Sequence, residues 1–221
     1  MARKWWTLVA VCTATFMLLL DITIVNVALP PIQHASVIVN CDRLADIRQA
    51  IALARDYRLR MILLGGAEAW AAAPELAKAD IPVILDPLDT LPDSYDRLGV
   101  RPDGAALLHK AGVALAFSVS AQGIYRSWDA GPSLREGAGL AVAAGLPYPA
   151  ALAAITSAAA KVLGLPPKAG TLGPGAAADL VIWDGDPLEP SSAPVLVMID
   201  GEEVSPATRQ TLLRDRYAPH R

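Results

Sequence analysis

Short apolar runs alternate with alanine-rich stretches along most of the chain. Four of these runs follow residue 35, each bounded by Gly, Pro, Asn or Asp, at positions 36–40, 60–66, 81–86 and 112–120. The stretches between them repeat apolar residues every three or four positions, which is typical of amphipathic helices. Because the strands are almost continuously apolar, we expect a parallel sheet that is buried on both faces. The pattern therefore predicts an α/β fold, with about four βα units of a partial (β/α) barrel over residues 36–165.

The pattern changes towards the C-terminus. Two more helices are predicted, at 133–146 and 148–165. The segments ADLVIWDGD and APVLVMIDGEEV then have the composition of strands, and Asp200-Gly201 inside the second is a tight-turn signal. We therefore expect a small C-terminal β-structure with at least one hairpin over residues 166–207. Residues 208–221 are polar and are predicted to form a frayed helix or a tail.

Residues 1–33 differ in character from the rest. No charged residue occurs between Trp5 and Leu20, and Arg3 and Lys4 come directly before this run. The apolar segment is long enough to cross a bilayer, and the two cations would keep its N-terminus in the cytoplasm. We therefore predict one hydrophobic transmembrane helix that anchors the protein in the membrane, whereas the soluble part alone would be cytoplasmic. A secretory signal peptide and a buried core helix are the alternatives.

The N-terminal segment also carries a family resemblance. Its sequence, WWTLVAVCTATFMLLLDITIVNVALPPIQ, resembles the first transmembrane helix of drug:proton antiporters of the major facilitator superfamily. The resemblance implies that Asp21 is an intramembrane carboxylate that bears on proton coupling. No later run has comparable length and apolarity, so transport by this chain alone is not expected. The alternative interpretation of the whole chain is therefore a fragment of such a transporter fused to an unrelated soluble domain.

Composition excludes several classes of function. Hydrophobic residues make up 53% of the chain but aromatic residues only 5%, which favours regular α/β packing over disorder. A net charge of -3, without any run of Lys and Arg interleaved with aromatic residues, argues against nucleic acid as a partner. The two cysteines, Cys12 and Cys41, lie far apart in the sequence. They indicate neither a disulfide framework nor a thiolate metal site.

The most specific motif of the chain is ALAAITSAAAKVLGLPPKAGTLGPGAAADLVIWDGDPLE, supported by LLGGAEAWAAAPELAKADIPVIL and LREGAGLAVAAGL. With these segments, residues 36–205 resemble the C-terminal half of the metal-dependent amidohydrolase superfamily, and its imidazolonepropionase-like members in particular. Gly173 and Asp179 occupy family positions where the chain returns to a β-sandwich, and Arg135 stands in the family's helix after the last barrel strand. The family's usual Asn-Pro pair after the Thr is replaced by two alanines here.

The resemblance implies an enzyme in which zinc or iron activates a water that hydrolyses a non-peptide, often cyclic, C–N bond. The family's metal ligands from the later strands fall on or near Asn40, Gly65 and 118–121, and none of these residues is a strong ligand. The other ligands, an HxH and a Lys, belong to earlier strands. We therefore expect no metal cofactor and a truncated, catalytically silent protein, alone or as a partner subunit of an active homologue. A hydrolase completed by self-association of two half-barrels is the competing hypothesis.

Two predicted loops follow the third and fourth strands, where α/β proteins place ligand-binding residues. The first loop, 87–102, is rich in carboxylates, with Asp89, Asp93 and Asp96, and the second, 122–132, contains a cation, an aromatic residue and a carboxylate. The three histidines are scattered along the chain and are expected to be structural or surface residues. Residues at the strand ends and in the second loop are the pocket candidates: Asn40, Asp86, Ser118, Ser120, Arg126 and Asp129.

Overall fold

The computed structural model describes residues 36–119, 130–205, 207 and 209–217. The predictions for residues 1–33, including the membrane helix and Asp21, lie outside these ranges. Within the described ranges, no helix combines the length and the apolar character that a bilayer crossing requires.

Four parallel strands form the central sheet, in the same order in space as in sequence. β3 starts two residues later than its apolar run, because Pro82 has no N–H to donate to a neighbouring strand. The parallel sheet with intervening helices confirms the predicted α/β fold. The strands are β1 (Ser36–Cys41), β2 (Arg60–Gly65), β3 (Val83–Leu85) and β4 (Leu115–Phe117).

Six helices accompany this sheet in the described ranges: α1 (Leu44–Tyr57), α2 (Ala73–Lys78), α3 (Gly104–Lys110), α4 (Ala130–Ala143), α5 (Tyr148–Ala154) and α6 (Ser157–Val162). The stretch 67–80, predicted as one helix, is interrupted. Its first part is a turn of 3₁₀ helix, Ala69–Ala72, and α2 begins only at Ala73. Pro74 explains the interruption, because proline fits the first turn of a helix but not its interior.

The predicted helix 148–165 is also divided, into α5 and α6. At the break, Thr156 leaves helical geometry, and its hydroxyl donates to the Leu152 carbonyl at 2.7 Å. The loop after α6 packs closely on this point, since a Cβ added to Gly170 would lie 2.6 Å from the Thr156 carbonyl carbon. The break therefore gives the returning chain room to pass against the helix.

The main core lies between one face of the sheet and the helices. Alternate strand residues point to this face, as the two-residue period of a strand requires. The largest side chains of this core that are fully buried are Leu63, Val83, Ile47, Leu76 and Leu108.

The opposite face of the sheet is smaller and less completely covered. Ile62 and Ile84 point to this face and pack against Val162 of α6. Just beyond α6, Gly164 lies beside the Arg60 guanidinium at the start of β2, so α6 covers the amino-terminal part of the face. At the sheet edge, Ile38 of β1 is 51% exposed.

A three-stranded antiparallel sheet forms the C-terminal β-structure, and the predicted hairpin is confirmed. Asp200 and Gly201 both have positive φ, 52° and 81°, as a type I′ turn requires. The turn is fixed to the neighbouring strand, because the Asp200 N–H donates to Asp179 Oδ1 at 2.7 Å. The elements are β5 (Leu180–Trp183), β6 (Pro194–Ile199), β7 (Glu202–Glu203) and, in the tail, α7 (Arg209–Tyr217).

Polar contacts attach this β-structure to the helices. The Arg135 guanidinium of α4 lies 4.0 Å from the centre of the Trp183 ring and donates to the Pro187 carbonyl at 2.9 Å. The Tyr148 hydroxyl donates to Asp186 Oδ1 at 2.7 Å. The Leu188 N–H and the Tyr148 hydroxyl, both donating to this carboxylate, hold the pKa of Asp186 below its usual value.

The lowered pKa of Asp186 should therefore contribute to the dependence of folding stability on pH in the acid range. Since its pKa is lower in the folded than in the unfolded chain, its contribution is present above the unfolded pKa and is lost as the pH falls through the folded pKa. We expect Asp186→Asn to flatten the loss of stability between about pH 5 and pH 2, measured as urea midpoints across that range. Tyr148→Phe, which removes one of the two hydrogen bonds, should give an intermediate curve. Parallel curves for wild type and Asp186→Asn would contradict this account.

Candidate functional site

A cavity of about 430 Å³ opens at the carboxyl ends of the parallel strands. This is the edge at which open α/β sheets bind ligands. Of the predicted pocket residues, the structure brings together Asn40 at the end of β1, Asp86 after β3 and Ser118 after β4. The remaining candidates, Ser120, Arg126 and Asp129, lie outside the described residues.

The strand ladder places these side chains at one edge. Asn40 is paired with Leu64 in the β1–β2 register, and the Ser118 N–H donates to the Leu85 carbonyl at 3.0 Å, which extends the pairing of β3 and β4 by one residue. Asp86 Oδ1 accepts the Leu88 N–H at 2.9 Å and so fixes the first turn of the following loop. The positions of the three pocket residues therefore follow from the strand register.

Asp42 joins the ends of β1 and β2. Its Oδ1 accepts the Ala67 N–H at 3.0 Å, and its carbonyl accepts the Glu68 N–H at 2.9 Å. Glu68 Oε2 in turn accepts the Leu44 N–H at 2.7 Å and caps α1, whose own N-cap residue, Arg43, makes no capping bond. We call these hydrogen bonds of Asp42 and Glu68 the β1–β2 clasp. They hold the turn after β2 against the start of α1.

Arg97 is the charged centre of the cavity wall. Its side chain is only 14% exposed, and its Nη1 lies 3.3 Å from both Asp89 Oδ2 and Asp93 Oδ2. Its Nε lies 3.7 Å from Asp42 Oδ2 and, although buried, makes no hydrogen bond with any residue that the structure describes. Burial alone would lower the pKa of Arg97, but the carboxylates of Asp89, Asp42 and Asp93 raise it above its ordinary value. The guanidinium is therefore firmly charged and links the 87–102 loop to the end of β1.

Arg97 and Asp42 are not among the residues predicted for the site from the sequence. The acids of the 87–102 loop are predicted, but their partner Arg97 is not. Its position four residues after Asp93 is the signal that could have identified it. Asp96, the third acid of the loop, forms an ion pair with Arg43.

Trp70 holds the far wall of the cavity. Its indole N–H donates to the Gly99 carbonyl at 2.9 Å, and the Arg101 guanidinium lies 4.7 Å from the centre of its ring. Both contacts join the 3₁₀ turn after β2 to the 87–102 loop. The cavity is therefore lined by segments that the ion pairs of Arg97 and the contacts of Trp70 hold in place.

The residues at the implied metal positions do not fit zinc or iron. Asn40 carries an amide, Gly65 carries no side chain and Ser118 carries a hydroxyl, whereas these metals prefer imidazole, thiolate or carboxylate. Among the described residues, no three His, Cys, Asp or Glu side chains are grouped so as to hold a metal ion. Burial raises the pKa of the neighbouring Cys41 thiol, which opposes a thiolate ligand there. His109 is exposed on α3, as predicted.

Comparison with known proteins agrees with this architecture. Residues 35–204 match the model of the amidohydrolase family. The chain belongs to this family. This amidohydrolase match starts at residue 35, so it does not extend to the transporter resemblance of residues 1–33.

Two solved structures illustrate the likeness. An amidohydrolase from Thermotoga maritima MSB8 has a TM-score of 0.70 and 29% identity, over 78% of this chain and 44% of that one. A prolidase complexed with n-methylphosphonate-l-proline has a TM-score of 0.58 over 76% of this chain and 44% of its own, but at 20% identity it supports the fold alone. In sequence, amidohydrolase tasK of Hapsidospora irregularis is 53% identical over 44 residues, which is 20% of this chain and 4% of that protein. This amidohydrolase chain therefore spans less than half the length of each of these relatives.

Gly65 and Gly112 provide a matched test of the crowding at the end of β2. Both have φ of +85°, but a Cβ on Gly65 would lie 2.9 Å from Asp42 Oδ1 and 3.1 Å from Asn40 Oδ1, whereas a Cβ on Gly112 meets nothing within 4 Å. Each substitution by Ala should cost about 1–2 kcal/mol for the left-handed backbone. Gly65→Ala should cost about 1–3 kcal/mol more because of the contacts. Free energies of unfolding from denaturant titration check this difference, and equal losses for the two variants would show that the contacts are unimportant.

Proposed function

We propose that this member of the amidohydrolase family is catalytically silent and does not carry out the family's metal-dependent hydrolysis of C–N bonds. The observation that carries the proposal is the set of residues at the strand ends, Asn40, Gly65 and Ser118, on or near which the family resemblance puts metal ligands. Without strong ligands there, no metal ion is available to lower the pKa of a bound water or to polarise a carbonyl. The protein would then lack the family's metal-dependent hydrolysis but retain the family's fold.

We propose that the protein has retained the ability to bind a small ligand in this cavity. The cavity has the size of small-molecule sites, which occupy roughly 300–1,000 Å³. Asn40 and Ser118 offer uncharged donors and acceptors to its interior, and the charge of Arg97 is already balanced by carboxylates. Such a lining suits a polar ligand that is held without being cleaved.

We also propose that the chain associates with a second copy through β1. Among the described residues, β1 pairs with β2 only and β4 with β3 only, and the exposed Ile38 lies at the β1 edge. Because the strands are parallel and sequential, β4 of one copy can pair with β1 of the other without a change of strand direction. An active homologue with the same strand order could use the same edge.

Metal analysis of the purified full-length chain tests catalytic silence. We expect zinc and iron contents far below one ion per chain, and no hydrolysis of a cyclic imide such as hydantoin above the buffer rate, with or without added zinc. An active, metal-loaded amidohydrolase assayed in parallel controls for the conditions. One tightly held zinc or iron per chain, or turnover that a chelator abolishes, would overturn the proposal.

Sedimentation of full-length variants tests the association. Ile38→Lys should shift the protein towards monomer, because a charge at the β1 edge opposes strand pairing between copies. Val195→Lys introduces the same charge at a strand residue of the C-terminal sheet that is 64% exposed, and it should leave association unchanged. An unchanged Ile38→Lys protein, or an equal shift in both variants, would argue against β1 as the interface.

A further inference from the structure

The end of β2 differs from an ordinary strand end in its backbone. Gly65 has φ of +85° and Gly66 has φ of +74°, so two consecutive residues adopt the left-handed conformation. Glycine tolerates this conformation, whereas a residue with a Cβ is strained in it. The family resemblance puts a metal ligand, a histidine, near Gly65. The backbone here is therefore unsuited to the side chain that a metal site would need.

The surroundings of Gly65 crowd the first carbon of that side chain. A Cβ at this position would meet Asp42 Oδ1 at 2.9 Å and Asn40 Oδ1 at 3.1 Å. The Asp42 carboxylate is not free to move away, because it belongs to the β1–β2 clasp and accepts the Ala67 N–H. The Gly66 N–H, which donates to the Cys41 carbonyl at 3.0 Å, fixes the same turn from its other side.

The carboxylate nearest to Gly65 is already engaged. Asp42 lies within ion-pair distance of Arg97, which lines the same cavity as Asn40 and Gly65. The Arg97 guanidinium is itself held in place by Asp89 and Asp93. A divalent cation would therefore have to compete with Arg97 for the Asp42 carboxylate.

We infer that the metal position is closed by the positive φ of Gly65 together with the Asp42 carboxylate beside it, and not simply emptied by the loss of histidines. Returning histidine to Asn40 and Gly65 therefore does not restore a metal site in this protein. This inference rests on the proposed function and goes further, because it assigns the loss of the position to the backbone and to the β1–β2 clasp as well as to the missing side chain.

Zinc binding to full-length variants tests the closure, with zinc chloride as the probe in calorimetry and in thermal melts. The variants are Asn40→His, the double variant Asn40→His with Gly65→His, and a control that combines Asn40→His with Gly112→His. The control places a second histidine at the same φ but with no neighbour within 4 Å. All three retain Asp42 and Arg97.

We expect the Gly65 double variant to bind zinc within about tenfold of the affinity of Asn40→His alone. We also expect its Tm to fall by roughly 5 °C or more below that of the Gly112 control, because the added side chain meets the clasp. A double variant that fails to fold, while the Gly112 control folds, would also support the inference. A folded double variant that holds one zinc per chain more than tenfold tighter than Asn40→His, with a Tm raised by zinc, would overturn the inference. Zinc bound by the wild-type chain would instead overturn the proposed function.

Discussion

Burial of one guanidinium among three carboxylates is the constraint on which the carboxyl edge of the sheet depends. A charge removed from water is tolerated only when it is paired, and the partners of Arg97 come from two separate segments. Asp42 follows β1, while Asp89 and Asp93 belong to the loop after β3. Their ion pairs therefore require the loop to lie across the strand ends. The cavity and the turn at Gly65 are shaped around this arrangement.

Much of the fold could be predicted because its signals are periodic. Three of the four strands lie within their apolar runs, and β1 extends only one residue beyond its run. The Asp200-Gly201 turn has the positive φ angles that its sequence indicates. The two interrupted helices were not predicted, because periodicity continues through a break. In one, Pro74 restarts the helix, and in the other a threonine hydroxyl competes for a backbone carbonyl. Such local competition leaves the hydrophobic pattern unchanged.

The site could be predicted only in part. Asn40 and Ser118 are predicted because the family resemblance puts metal-ligand positions on or near them. Arg97 is not, because an ion pair between a loop and a distant strand end leaves no periodic trace in the sequence. The sequence also showed that Gly65 lacks a metal ligand, but not that its φ is positive. That angle is set by the hydrogen bonds of Cys41 and Asp42, which only the folded chain brings to it.

The position of α6 has a consequence for how the two faces of the parallel sheet share their stability. Val162 packs with Ile62 and Ile84 into a small apolar cluster that is separate from the main core on the other face. Substitutions in the two clusters act on different sets of contacts, because the sheet lies between them. Their effects on the free energy of unfolding should therefore add, as they do for sites without shared partners.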